Sequence, residues 1–103
     1  MTIVTVFRSR PRQGVQSAYE AVSIEMGRIA ASMEGFIDQK SYLAPDGERV
    51  TLVRFRDRDS QRTWAQHPDH LAAQSRGGEE FYSWYDISVS EEKYGRTYEI
   101  PGD

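Results

Sequence analysis

The spacing of apolar residues changes along the chain, and this succession limits the fold more than any single motif does. Thr2 to Arg10 alternates, with β-branched residues and Phe7, as a strand does. After Pro11 and a short loop at Arg12–Gly14 the period lengthens. From Val15 to Met33 apolar side chains fall three and four apart, among them Tyr19, Val22, Met26, Ile29 and Ala30. That spacing predicts one long amphipathic helix, with Ala18 on its stripe and Ile24 off it. Gly35 stands where a helix would stop. Phe36–Leu43 and Arg49–Arg56 read as two further strands. Pro45-Asp46-Gly47 lies between them, with proline presetting one φ and glycine accepting a positive one, so they form a hairpin.

The next stretch, WAQHPDHLAAQ from Trp64 to Gln74, predicts a broken helix. Asp57 or Asp59 can cap a short helix carrying Trp64. Pro68 steers His67 away from the α region and then fits the first position of a second helix, which ends near Gly77-Gly78. A fourth strand lies within Phe81–Ser90. The order is therefore β-α-β-β-α-β, an α+β ferredoxin-like fold with an antiparallel sheet and both helices on one face. We expect a single domain over residues 1–103, with a core at 1–90 and a polar tail at 91–103 that carries Tyr94, Tyr98 and Ile100.

Both alternating sets of strand residues are apolar: Ile3 and Phe7 against Val4 and Val6, Val53 and Phe55 against Val50 and Leu52. A sheet with one solvated face would be polar on one set. The second face is expected to pack on a partner, most simply a second copy in a homodimer, with the tail able to cross to it. A chain of 103 residues is short enough for a partner to matter to its burial.

Bulk properties remove several function classes. A net charge of −3 and a pI of about 5.4 give no general attraction to nucleic acid or anionic membrane. The RNA recognition motif shares this element order but needs base-stacking aromatics on its first and third strands, with glycines among them, whereas the third strand here, RVTLVRFR, offers one aromatic and no glycine. With no cysteine, disulfides, thiol catalysis and cysteine-held metal sites are excluded. No apolar run approaches the roughly 20 residues needed to span a bilayer. MTIVTVFRSR lacks the pattern of a secretory leader, so a cytoplasmic location is expected.

His67 and His70, the two histidines, flank Pro-Asp. With Asp69 they could begin a metal site, but they straddle a helix start and no second ligand cluster follows. His67 then reads as a corner residue. His70 is either a packed first-turn residue or a neutral hydrogen-bond partner or base, because a helix N-terminus disfavours its cation. Trp64 is either core or the wall of a pocket for a flat ligand. Gln74 shares a helix face with His70. Arg54 and Arg56 share one face of their strand, as do Arg8 and Arg10; they form either solvated ion pairs or an anion site, and Arg54's sheet face depends on register.

At HPDHLAAQSRGGEEFYSWY the chain resembles the antibiotic biosynthesis monooxygenase family, within the dimeric α+β barrel superfamily. MTIVTVFRSR, the helix ending in SMEGF, the hairpin into VTLVRFRD and the block from Trp64 to Tyr85 carry the resemblance over about the first 90 residues. It implies a homodimer whose sheets close into a barrel, with a pocket between sheet and helices in each subunit. It also implies oxygenation of a small aromatic, phenolic or quinol-like polyketide by O2 without metal or flavin, hence no cofactor. Within that frame Trp64 and His70 are the candidate catalytic residues, with His70 accepting a proton or orienting the substrate. Gln74, Arg54 and Phe7 are candidate substrate-binding residues. Two alternatives stand beside this reading: a non-catalytic ligand-binding homodimer, and a heme-binding or heme-degrading protein. Heme-degrading relatives carry asparagine where Phe7 stands and a ligating histidine where Gln74 stands.

Overall fold

The structure is a computed structural model and describes residues 1–102; Asp103, the last residue of the expected tail, lies outside the described residues. The elements are β1 (Ile3–Pro11), α1 (Gln16–Ser32), β2 (Phe36–Leu43), β3 (Arg49–Phe55), α2 (Arg58–Ala65), α3 (Pro68–Arg76) and β4 (Tyr82–Glu91). The four strands form one antiparallel sheet in the order β2-β3-β1-β4. This is the expected ferredoxin-like arrangement, with the second helical segment split in two.

Register fixes which residues face which way. Ile3 stands opposite Phe55 and Thr5 opposite Val53, and all four are buried beneath the helices. The intervening residues, Val4 opposite Arg54 and Val6 opposite Leu52, therefore point to the other side. The core gathers where β3 meets α1 and α2: Ala30, Val53, Phe55 and Trp64, flanked by Met33 and Phe36. Phe55 stacks on Trp64 at 5.3 Å, and Phe36 meets Phe55 edge-on at 5.9 Å. Such aromatic pairs add about 1 kcal/mol each to the area they bury.

Local chemistry explains the breaks between elements. Pro11 continues β1 past the last residue paired to β3, so its missing N–H costs no ladder bond on that side, and a register shift against β4 falls at Arg10/Pro11. Gly35 adopts φ +84°, and an added Cβ would lie 2.5 Å from Ser60 Cβ. Only glycine lets the turn into β2 approach α2 this closely. Of the two candidate caps, Asp57 closes α2: its carboxylate accepts from the Ser60 N–H at 2.8 Å. His67 caps α3, its Nδ1 accepting from the Asp69 N–H at 3.1 Å, and Pro68 takes the first helical position.

In two places the structure departs from the expected pattern. The chain does not leave α3 directly into a strand at the glycine pair: Gly77–Phe81 forms a π-helical turn, so Phe81 is buried there and β4 begins at Tyr82. A Cβ on Gly77 would come within 2.7 Å of the Tyr82 ring, so this glycine serves close packing rather than chain termination. Along α1, Tyr19 and Ala30 are buried, Val22, Met26 and Ile29 are half-buried, and Ala18 is exposed. The stripe is incompletely buried because part of it faces a cavity.

Candidate active site

That cavity, of about 340 Å³, lies between the sheet and the helices. Its floor is made by Thr5 and Phe7 of β1, Thr51 and Val53 of β3, and Tyr82, Tyr85, Ile87 and Val89 of β4. Tyr19, Val22 and Met26 of α1 form one wall; Gln61 and Trp64 of α2 and His70 and Gln74 of α3 form the other. Among its lining residues Gln74, Tyr85, Ile87 and Val89 are exposed, so the cavity opens where these side chains stand.

The break at Pro68 separates α3 from α2, and the first turn of α3 sets His70 against Trp64, ring centres 4.5 Å apart and tilted by 53°. Both side chains are more than nine-tenths buried. Burial, and secondarily the neighbouring His67, pushes the His70 pKa down to about 4, so its imidazole is neutral near pH 7. Its Nδ1, the Trp64 Nε1–H and the Thr5 hydroxyl are buried without a hydrogen-bond partner. Among the described residues a fourth such atom, Ser9 Oγ, lies outside the cavity lining; the other three belong to residues that line it, where a ligand or water can satisfy them.

Gln61 was not singled out from sequence, yet it is 4% exposed and lines the cavity. Its Oε1 accepts from the Arg58 guanidinium, which has no acceptor of its own, so the amide orientation is fixed. The Gln61 NH2 is then the end left for a ligand. The tyrosines at the β4 end were also missed. Tyr82 packs edge-on against Phe7 at 5.3 Å and Tyr19 at 5.7 Å, and burial, reinforced by Tyr19, pushes its hydroxyl pKa upward. No local motif flagged these residues; their inward alternation along the strands and helices becomes informative only once register is known.

The remaining sequence candidates separate by location. Phe7 and Gln74 line the cavity. Arg54 does not: it points out of the opposite sheet face and is bound to Asp38 at 2.5 and 2.8 Å and to Glu92 at 3.4 Å. The Asp38 carboxylate holds the Arg54 pKa further above its ordinary range, while Arg54 lowers that of Asp38. The anion-holding position considered for Arg54 is therefore corrected to a surface ion pair. His67 is occupied as a helix cap, separate in role from His70. Among the described residues, no three His, Cys, Asp or Glu side chains stand together as a metal site.

The antibiotic biosynthesis monooxygenase family model matches residues 2–76. No curated protein matches the sequence. Among solved structures, the chain is similar to Rv0793 from Mycobacterium tuberculosis, with a TM-score of 0.83, 21% identity, and coverage of 94% of this chain and 100% of that one. It is also similar to a mutant form of SnoaB, a cofactor-independent oxygenase from Streptomyces nogalater, with a TM-score of 0.79, 16% identity and 91% and 95% coverage. A conserved protein from Methanosarcina mazei Go1 gives a TM-score of 0.81 at 14% identity, with 90% and 94% coverage. At these identities the structures attest the shared fold. The family match spans most of the sequence and agrees with that fold and with the cavity beneath its helices: the chain belongs to the antibiotic biosynthesis monooxygenase family.

Proposed function

We propose that this protein is a monooxygenase that oxidises a small aromatic, phenolic or quinol-like substrate with O2, drawing the electrons from the substrate itself. The observation that carries this reading is the pairing of Trp64 with His70, both buried and lining one cavity, with Trp64 Nε1 and His70 Nδ1 lacking a protein hydrogen-bond partner. SnoaB, a cofactor-independent oxygenase with the same fold, lends it support. An electron-rich ring would lie against Trp64 and Phe7. The neutral His70 accepts a hydrogen bond, and then the proton, from the substrate's acidic position as negative charge develops. The Trp64 N–H and the Gln61 NH2 donate to the substrate oxygen that gains that charge. For an anthrone-type methylene, one O2 is consumed, one oxygen atom enters the new carbonyl and the other leaves as water. Gln74 guards the mouth.

Oxygen uptake with anthrone, measured on chelator-treated protein, tests this directly. Trp64→Phe removes the N–H and keeps an aromatic wall, and we expect a loss of about 10²-fold in turnover. Uptake no faster than the uncatalysed rate, with ligand still bound, would establish a binding protein instead. Heme finds little in the lining to recommend it, since among the described residues no guanidinium or ammonium lines the cavity to receive its carboxylates.

We further propose that the working form is a homodimer, in the cytoplasm, joined through the outer sheet face. Val4, Val6, Val50 and Leu52 form the half-buried centre of that face. Around it Arg8–Glu48, Arg10–Asp46 and Arg54–Asp38 neutralise one another within the chain. A patch with its charges already paired and an apolar centre suits a second copy of itself.

A further inference from the structure

We infer that the cavity selects uncharged ligands: its substrate enters neutral, held through oxygen functions, and analogues with a fixed charge are turned away. The inference rests on the proposed site and deepens it by naming the charge class of what the site takes.

The first support is the distribution of charge. The chain has 13 Lys and Arg and 16 Asp and Glu residues, yet among the described residues none of these lines the cavity. Arginines stand around it without entering its lining. Arg58 stands behind Gln61 and donates to its amide oxygen. Arg49 lies over the Tyr19 ring at 5.3 Å. Arg54 is on the far side of the sheet with Asp38. A ligand carboxylate inside would meet no counter-charge in the lining itself, Arg49 being held behind the Tyr19 ring, and a ligand ammonium would meet no acid there. An ion desolvated without a partner is strongly disfavoured.

The second support is what the cavity offers instead. The Trp64 N–H and the free end of Gln61 are donors, the Thr5 hydroxyl can donate or accept, and neutral His70 has one nitrogen of each kind. These groups match carbonyl and hydroxyl oxygens on a flat, neutral molecule. Phe7, Tyr82 and Tyr85 supply apolar faces for its rings.

The test is titration calorimetry at pH 7.5 with two probes of nearly equal shape, methyl 1-hydroxy-2-naphthoate and the corresponding free acid, which is ionised. We expect the ester to bind about 100-fold more tightly than the carboxylate. Gln74→Lys, which adds a cation at the mouth, is expected to narrow the ratio to below about tenfold by strengthening the acid. A wild-type ratio below about tenfold, or no saturable binding of the ester, overturns the inference. Selective ester binding by a protein that takes up no oxygen with anthrone would uphold the charge selectivity and remove the oxygenase reading.

Discussion

Acidification should destabilise this protein through His70 in a pH window that its carboxylates leave quiet. The imidazole titrates near 6.5 when unfolded and at about 4 in the fold, where burial excludes the cation. Between these values the unfolded chain binds a proton that the folded chain does not, so stability rises with pH there and falls on acidification. At pH 5 the full shift corresponds to about 2 kcal/mol lost relative to pH 7.5; water reaching the cavity mouth screens part of it, leaving about 1–2 kcal/mol. Asp38, Asp46 and Asp57 have lowered pKa values, so the stability they contribute is lost as pH falls from the ordinary carboxylate value through their lowered ones, mostly below pH 5. Urea unfolding at pH 5.0 and 7.5, on wild type and His70→Gln, isolates the contribution because the other groups are common to both. Wild type should lose about 1–2 kcal/mol more than the variant over this interval. Equal losses, within about 0.5 kcal/mol, would mean that His70 accepts its proton in the fold as readily as in water, and the argument for an enclosed neutral imidazole would fail.

Other substitutions probe the surrounding framework. Gly35→Ala forces a side chain into positive φ and against Ser60, and should cost about 2–4 kcal/mol in denaturant unfolding. Gln61→Leu should weaken binding of the naphthoate ester about tenfold, whereas Arg54→Ala should leave it within about twofold; the reverse order would restore Arg54 to the site. Leu52→Arg, on the outer face, should convert the proposed dimer to monomer in light scattering, and an unchanged mass at micromolar concentration would refute that interface.

The sequence exposed the framework better than the site. Alternation and three-to-four spacing are local properties, so β1, α1 and the hairpin could be read directly, and Pro68 announced the break that turns His70 onto Trp64. The π-helical turn could not be read, because Gly77 and Gly78 suit a helix end equally well and the deciding contact, Gly77 against Tyr82, joins two segments through packing. The same holds for Arg54 and Gln61. Nothing within RVTLVRFR says which alternating set faces the helices; pairing of Val4 with Arg54 decides it. Gln61 looks like any polar helix residue until Arg58 fixes its amide and the cavity opens beside it. Cavity-lining residues were singled out where chemistry was conspicuous, in histidine and tryptophan, and passed over where an ordinary side chain reaches the cavity only through its position.

Strand β1 sends Thr5 and Phe7 into the cavity and Val4 and Val6 to the opposite face. Ligand recognition and self-association would therefore be written in interleaved letters of the same nine residues, IVTVFRSRP. Substitutions at the odd positions can reshape the chamber while the even positions keep the outer surface intact. A lineage built on such a strand can vary one face of the sheet while holding the other constant. That separation is one physical route by which chains only 14–21% identical to this one could keep its architecture.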